Sequence, residues 1–283
     1  MKQNVLNTDF SGKVAVITGA GGVLCGYFAK VLARAGAKVA LLDRNEQSAT
    51  RCAMEIIAEG GKAKAYACNV LDRDICNAVA EQVKADLGGC DLLINGAGGN
   101  NPKATTDKEY LEEADLGSDV KTFFDLDDEG VGGVFDLNFL GTLIPTQAFA
   151  RQMVGKKGCS IVNLSSMNAF TPLTKIPAYS GAKASVSNFT QWLAVHFSKV
   201  GIRVNAIAPG FFSTKQNAKL LWNEDGSPTA RTGKILAATP MGRFGESEEL
   251  EGALLFLVDE NASGFITGVV LPVDGGFSAY SGV

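Results

Sequence analysis

The chain contains a single histidine, His196, in 283 residues. Hydrolases with a Ser-His-Asp triad need a histidine as general base, and most zinc sites include histidine or paired cysteines. His196 falls near the end of a predicted helix, so we interpret it as structural. The sequence therefore excludes triad hydrolases and most metal sites, and we predict no bound metal.

Basic clusters and long apolar runs are also missing. Lysine and arginine number 26 against 30 acidic residues, and the longest basic run is Lys156-Lys157. No basic surface is therefore available to neutralise nucleic-acid phosphates. No apolar run reaches 18 residues, and the first ten residues are too polar for a signal peptide. We expect no nucleic-acid or membrane partner and a cytoplasmic location.

Paired cysteines of the Cys-x-x-Cys type are absent as well. The six cysteines lie within or beside apolar runs, at positions 25, 52, 68, 76, 90 and 159. Such cysteines are typical of buried, reduced thiols rather than of zinc or redox sites.

What the sequence does contain is an alternation of short apolar segments with segments of helical period. The apolar segments, each bounded by Gly, Asp or Asn, predict strands at 14–18, 39–43, 64–67, 92–95, 160–165, 203–208 and 269–273. The helical segments are 27–35, 46–59, 72–87, 135–153, 178–199 and 247–258. This alternation predicts an α/β fold, a doubly wound (Rossmann) seven-stranded parallel sheet with helices on both faces, in a single domain.

Two stretches lack strong periodicity, an acidic one at about 99–133 and a second at about 211–243. Both follow predicted strands. Ligands of open α/β sheets bind outside the carboxyl ends of the strands, so we expect both stretches on the substrate side.

A glycine-rich turn follows the first predicted strand and precedes a helix. Backbone amides at such a turn can approach a pyrophosphate at the helix N-terminus. Asp43 ends the second strand, 24 residues after Gly19. Its carboxylate can accept hydrogen bonds from both adenosine ribose hydroxyls and would repel a 2′-phosphate. NAD is therefore favoured over NADP, although the neighbouring Arg44 could pair with such a phosphate.

Further motifs stand in order along the chain: Asn95-Gly96-Ala97-Gly98, Asn138, Ser166, Tyr179-Ser180-Gly181-Ala182-Lys183, and Asn205-Ala206-Ile207-Ala208-Pro209-Gly210 followed by Thr214. Together with the glycine-rich turn, they resemble the classical short-chain dehydrogenase/reductase family over 12–276. The first of them looks like the Asn-Asn-Ala-Gly turn of that family. The chain departs from the family pattern at Val23 and Cys25, where glycine is common, and at Asn69, where aspartate is frequent.

The resemblance implies an oxidoreductase of CH-OH groups with cofactor contacts from Gly19, Gly22, Val23, Leu24, Asp43, Arg44, Asn69, Val70, Asn95, Gly96, Ala97, Tyr179, Lys183, Pro209, Gly210, Phe212 and Thr214. It also implies Asn138, Ser166, Tyr179 and Lys183 as the catalytic set.

Hydride transfer to a ketone needs a proton donor whose pKa approaches the working pH. Tyr179 can serve, because Lys183 lies one helical turn away at i+4 and can stabilise the phenolate. Ser166 would bind the substrate oxygen, and Asn138 would hold a water that connects Lys183 to solvent.

Polar residues predominate where the substrate should bind. We predict contacts from Asn100, Asn101 and Asn168, besides Ser166 and Tyr179, and amides of this kind suit a polyhydroxylated substrate. Lysines 103, 175 and 215 could hold a carboxylate or could be solvated surface residues.

Within the family, the segments 22–26 and 138–142 and the long connection 95–138 resemble the D-mannonate oxidoreductase subgroup, which interconverts D-fructuronate and D-mannonate. Two alternatives stay open, another polyol or aldonate dehydrogenase such as a gluconate 5-dehydrogenase, and a non-catalytic dinucleotide-binding regulator. The acidic stretch could also be an oligomer contact or a lid. Family members are usually homotetramers or homodimers, and the apolar helices 135–153 and 178–197 could pair.

Overall fold

The structure is a computed structural model that describes residues 9–213 and 221–282. A parallel sheet of seven strands crosses its centre in the order β3-β2-β1-β4-β5-β6-β7. The strands are β1 Val14–Thr18, β2 Lys38–Asp43, β3 Lys62–Ala67, β4 Leu92–Asn95, β5 Cys159–Leu164, β6 Ile202–Pro209 and β7 Val270–Val273. The helices are α1 Val23–Arg34, α2 Glu46–Ala58, α3 Arg73–Leu87, α4 Asp128–Phe135, α5 Gly141–Phe149, α6 Pro177–Phe197, α7 Ala230–Ala238, α8 Glu251–Val258 and α9 Glu260–Ser263.

The sheet is covered on both faces, which is why its central strands are apolar along their whole length. On one face Phe28 and Leu32 of α1 pack against β1 and β2, and Leu254 of α8 continues the same buried cluster over β5 and β6. On the other face α3, α5 and α6 cover the sheet, with Phe149 among the fully buried side chains. The doubly wound seven-stranded fold predicted from the sequence is confirmed.

The connections are less regular than the strands. The helix predicted at 135–153 is divided: α4 ends at Phe135, a π-helical turn covers Asp136–Leu140, and α5 follows. Helix α4 begins at Asp128, inside the stretch predicted as aperiodic, where Asp127 Oδ1 accepts from Gly130 N at 2.6 Å. Helix α7 lies inside the second such stretch, with Thr229 as its N-cap. The predicted start of a helix at 135 was therefore wrong, and the second aperiodic stretch contains a helix that the sequence pattern did not predict.

The six cysteines are free and buried, as predicted. In the described ranges 9–213 and 221–282, no helix is both long and apolar enough to span a membrane. The same ranges contain no group of three His, Cys, Asp or Glu side chains that could hold a metal.

Strand order reverses between β1 and β4, since the chain runs outward from β1 to β3 and then returns to β4. At such a switch point the connections at the carboxyl edge diverge and leave a crevice. The candidate site occupies this edge of the sheet.

Candidate active site

A cleft of about 570 Å³ opens at the carboxyl ends of β1 to β4. It brings together most of the residues that the sequence predicts to bind a cofactor: Gly19, Gly22, Val23, Leu24, Asp43, Arg44, Asn69, Val70, Gly96 and Ala97. Its walls come from four separate strand ends, so the cleft depends on the completed sheet.

The glycine-rich turn forms the floor of this cleft. Gly19 has φ +68°, and a Cβ there would lie 3.0 Å from the Ala97 backbone, so two strand ends approach closely only because the side chain is absent. Gly22 is the N-cap of α1, whose first turn carries no acidic residue. Unpaired amides at a helix N-terminus attract anions, and this end of α1 suits a pyrophosphate.

Asp43 ends β2 at the rim of the cleft. Its carboxylate accepts from Gly21 N at 3.0 Å and from Asn45 N at 2.8 Å. These two backbone contacts fix its orientation, and a carboxylate has acceptor capacity for further donors. The group can therefore bind vicinal hydroxyls, and its negative charge opposes a phosphate at the same place.

Cys25 stands where the family commonly has glycine, and the structure shows how it is accommodated. A Cβ at Gly96 would lie 2.1 Å from Cys25 Sγ, so the thiol occupies the space beside that glycine. Cys25 is buried, and burial raises the pKa of its thiol to about 12. The thiol is therefore neutral and acts as a small apolar group.

Ser166 and Tyr179 meet at the end of β5. Ser166 is buried after the strand, and Tyr179 is in the first turn of α6, close enough for Ser166 to influence the phenol. Burial raises the pKa of Tyr179, and the neighbouring Ser166 lowers it by less. In the protein alone the cost of burying the phenolate prevails, and the stabilisation of the phenolate by Lys183 stays a prediction.

Lys183 is nearly fully buried one turn after Tyr179, with its Nζ 5.7 Å from the centre of the Tyr179 ring. Its Nζ donates to Leu164 O at 2.7 Å. Burial lowers the pKa of Lys183 to about 8. The ammonium is thus held in a poorly solvated position beside the candidate proton donor.

Asn138 lies in the π-helical turn and is fully buried. Its Nδ2 donates to Val134 O at 2.8 Å and Gly99 O at 2.7 Å, and its Oδ1 accepts from Gly99 N at 3.2 Å. A Cβ at Gly98 would lie 2.6 Å from Asn138 Oδ1 and 3.1 Å from Lys183 Nζ, so both groups border this glycine. The extra residue of a π turn is a frequent device for aiming a side chain at a functional site.

Other predicted cofactor residues do not line the cleft. Asn95 is buried beneath it, and its Nδ2 donates to Thr146 Oγ1 and Asn163 Oδ1, both at 2.9 Å. Pro209 ends β6, Gly210 follows it, and Phe212 lies in a separate cavity with Gly245. Thr214 lies outside the described residues, as do the polar residues 215–217.

Two of the predicted substrate residues use their amides locally. Asn100 Nδ2 donates to Thr105 Oγ1 at 3.0 Å, and Asn101 Oδ1 accepts from Lys103 N at 3.0 Å. Both amides therefore stabilise the loop after β4. Asn168 differs, because its side chain is buried beside Ser166 and its Oδ1 has no partner in the described part of the chain. An unpaired buried acceptor is costly unless a ligand supplies a donor.

The structure also contains a second cavity that sequence reasoning missed. It has a volume of about 410 Å³ and lies between the loop before α6, the acidic stretch and α7. Its charged residues are Glu109, Lys175, Arg231 and Lys234. Among these four residues, the sequence points only to Lys175 as a possible contact of a substrate carboxylate. Nothing local in the sequence connects the three segments that form the cavity. The amphipathic pattern at 230–238 is the one feature of the sequence that indicates a helix beside this cavity.

Comparison with known proteins identifies the family. The model for "short chain dehydrogenase" matches residues 13–225. The chain is a short-chain dehydrogenase. An uncharacterised oxidoreductase of Haemophilus influenzae is 64% identical over 98% of this chain and 97% of its own length. The gluconate 5-dehydrogenase of Gluconobacter oxydans is 35% identical over 95% of this chain and 96% of its own.

A solved structure extends this comparison. The crystal structure of a proposed D-mannonate oxidoreductase from Haemophilus influenzae, with bound NAD, is 63% identical to this short-chain dehydrogenase. Its TM-score is 0.95, and the match covers 99% of each chain. The family assignment and the fold predicted from the sequence are thus confirmed, and the chain is an oxidoreductase of this family.

Proposed function

We propose that the protein is an NAD(H)-dependent oxidoreductase that interconverts a sugar-acid ketone and its alcohol, with D-fructuronate and D-mannonate as the pair. The observation that carries the proposal is the placement of Lys183 Nζ 5.7 Å from the centre of the Tyr179 ring, with Ser166 next to that tyrosine, near a cleft large enough for a dinucleotide. The similarity to a proposed D-mannonate oxidoreductase with bound NAD supports both the cofactor and the substrate.

The cofactor fits the cleft on two grounds. Asp43 offers a carboxylate at the strand end where an adenosine ribose belongs, and the start of α1 offers backbone amides to the pyrophosphate. Nicotinamide supplies or accepts the hydride. Gly19, Gly22, Val23, Leu24, Asn69, Val70, Gly96 and Ala97 would border the dinucleotide, and Arg44 would stay at the rim.

Within this proposal Tyr179 donates the proton to the carbonyl oxygen as the ketone is reduced. A raised pKa favours the protonated phenol, which is the form needed in that direction. Ser166 donates a hydrogen bond to the same oxygen and stabilises the charge that develops there. The Lys183 ammonium lowers the energy of the phenolate left on Tyr179, and Asn138 keeps the Gly98 and Gly99 backbone in position next to it.

Asn168 is the substrate residue that the geometry favours. Its unpaired Oδ1 lies in a buried position beside Ser166, where a substrate hydroxyl could supply the missing hydrogen bond. A site that satisfies a buried amide in this way discriminates against substrates without the hydroxyl. A polyhydroxylated ketone is therefore favoured over a simple one.

The second candidate within the same chemistry is gluconate 5-dehydrogenase activity, which the 35% identical relative favours. A non-catalytic dinucleotide-binding role is the alternative from another class, and turnover of any ketone would exclude it.

The test follows NADH absorbance while the purified protein is mixed with D-fructuronate, 5-ketogluconate, other keto-uronates and simple ketones, with NADPH in parallel. Oxidation of NADH by D-fructuronate in preference to the others would support the proposal. A preference for 5-ketogluconate would mean that this ketone is the substrate, while the proposed hydride-transfer reaction would stand.

We also propose a homotetramer or homodimer that works in the cytoplasm. Helices α5 and α6 line a shallow groove of about 560 Å³, and Trp192 and Val195 of α6 are 56% and 77% exposed. Exposed aromatic and aliphatic side chains on adjacent helices are typical of subunit contacts. Size-exclusion chromatography with light scattering would measure the assembly.

A further inference from the structure

The second cavity is positioned to receive the far end of a substrate that reacts at Tyr179. Its lining residue Ile176 accepts a helical hydrogen bond from Ser180 N and is the N-cap of α6, whose first turn carries Tyr179. Another lining residue, Phe211, follows β6 and contacts Phe277 edge-on at 5.3 Å. The cavity therefore borders the carboxyl edge beyond β5 and β6, while the cofactor cleft borders β1 to β4.

Three segments that are distant in sequence are fastened together around this cavity. Thr106 N donates to Lys175 O at 3.0 Å, and Lys175 Nζ donates to Asp107 O at 2.5 Å. Glu109 then pairs with Lys234 of α7 at 2.6 Å. The acidic stretch is thus tied both to the loop before α6 and to α7, which gives the cavity a defined wall.

The charges in this cavity do not cancel. It contains three cations, Lys175, Arg231 and Lys234, and one carboxylate, Glu109, in a protein whose formal net charge is −4. The hydrogen bond from Lys234, with Lys175 nearby, lowers the pKa of Glu109, so that carboxylate is already satisfied. Across residues 9–213 and 221–282, Arg231 forms no ion pair. The local excess of positive charge therefore resides on Arg231 and Lys175, and the Nζ of Lys175 already donates to a backbone carbonyl.

We propose that this cavity is the subsite for the substrate's carboxylate, and that Arg231 is its principal contact with Lys175 as a secondary one. The inference rests on the proposed function and deepens it by explaining why a sugar acid should be preferred over a neutral sugar. A guanidinium suits a carboxylate because its donors match both oxygens. D-Fructuronate carries its ketone and its carboxylate near opposite ends of the carbon chain, as a substrate that reacts at Tyr179 and extends into this cavity must.

The test compares two ketones that differ only at that end, D-fructuronate and D-fructose, which has a hydroxymethyl group in place of the carboxylate. The wild type should strongly prefer the acid. Arg231→Gln should raise KM for D-fructuronate by about tenfold or more with little change in kcat, since a hydrogen bond to a charged group is lost. The same variant should leave kcat/KM for D-fructose unchanged, and Arg231→Lys should recover part of the loss.

Arg34→Gln is the matched control, because it removes the same charge from an exposed arginine in the last turn of α1. It should change neither substrate's KM. An unchanged KM for D-fructuronate in Arg231→Gln, or an equal loss with both ketones, would overturn the subsite. A wild type that reduces both ketones equally well would overturn it as well.

The carboxylate subsite can also be tested separately from the proposed reaction. If the wild type does not reduce D-fructuronate, calorimetric titration of D-mannonate and D-mannitol into the protein with NADH replaces the kinetic test. Binding of the acid alone, abolished by Arg231→Gln, would retain the carboxylate subsite without the proposed reaction. Equal binding of both compounds, no binding, or acid binding unaffected by the substitution would overturn it.

Discussion

Burial of Lys183 predicts a specific pH dependence of stability. Its Nζ is bonded to Leu164 O, and burial lowers its pKa to about 8 in the folded protein. The unfolded chain should titrate near the ordinary lysine value of about 10.4. Between these two values the unfolded chain binds more protons than the folded one, so the free energy of unfolding rises with pH. Below the folded pKa the buried ammonium destabilises the protein by a constant amount.

The magnitude follows from these two pKa values. Between pH 7 and pH 9.5 the contribution of Lys183 to the free energy of unfolding should increase by about 2 kcal/mol. Lys183→Met abolishes this titration and leaves the Leu164 carbonyl unpaired, which adds an offset that does not vary with pH. The free energy of unfolding of the wild type should therefore increase by about 2 kcal/mol relative to that of the variant between pH 7 and pH 9.5.

Urea unfolding of both proteins without cofactor, measured at several pH values in this range, checks the prediction. Lys30→Met is a suitable control, because the hydrogen bond that Lys30 donates to Glu55 raises the pKa of Lys30 instead of lowering it. Its stabilising contribution is present throughout this pH range, so its difference from the wild type should not increase with pH. A constant difference between the wild type and Lys183→Met would refute the reasoning, since it would mean that Lys183 does not titrate between pH 7 and pH 9.5.

Three further substitutions test the site. Tyr179→Phe should lower kcat by about a hundredfold or more while NADH binding, followed by fluorescence, is retained; loss of binding would indicate a structural role instead. Asp43→Ser should shift the ratio of NADPH to NADH affinity toward NADPH by about tenfold, because it removes a negative charge at the ribose; an unchanged ratio would count against that assignment. Gly96→Ala should destabilise the protein by about 1–3 kcal/mol through the clash with Cys25. Adding Cys25→Ala should recover most of that loss, because the Cys25 Cβ lies 3.6 Å from the new methyl group.

The strands could be predicted from the sequence because each is a short apolar run that the sheet buries on both faces. Helix α4 could not, because Gly130, Gly132 and Gly133 weaken its helical pattern and its stability comes from the Asp127 cap and from packing. Helix α7 is short and follows residues without periodicity, so its nine residues gave too weak a signal.

The parts of the site that lie within one βαβ unit could be predicted from sequence motifs, whereas the parts that distant segments form together could not. The glycine-rich turn and Asp43 have a fixed spacing along one βαβ unit, so their meeting in one cleft follows from local sequence. The amides of Asn100 and Asn101 found partners within their own loop, which no pattern could distinguish from substrate contacts. The subsite around Arg231 depends on three segments that only tertiary structure brings together. The catalytic roles of Asn138, Ser166, Tyr179 and Lys183 stay predictions until the variants are measured.

Cys25 and Gly96, two positions at which the chain departs from the family pattern, lie against each other in the structure. The family commonly has glycine at the first position and asparagine at the second, whereas this chain has the larger residue at the first and glycine at the second. Cys25 Sγ fills the space that any side chain at position 96 would need. The first turn of α1 therefore packs directly against the end of β4. Because the buried thiol is neutral and Gly19 and Gly22 still line the cleft, the altered turn keeps an open surface for a dinucleotide.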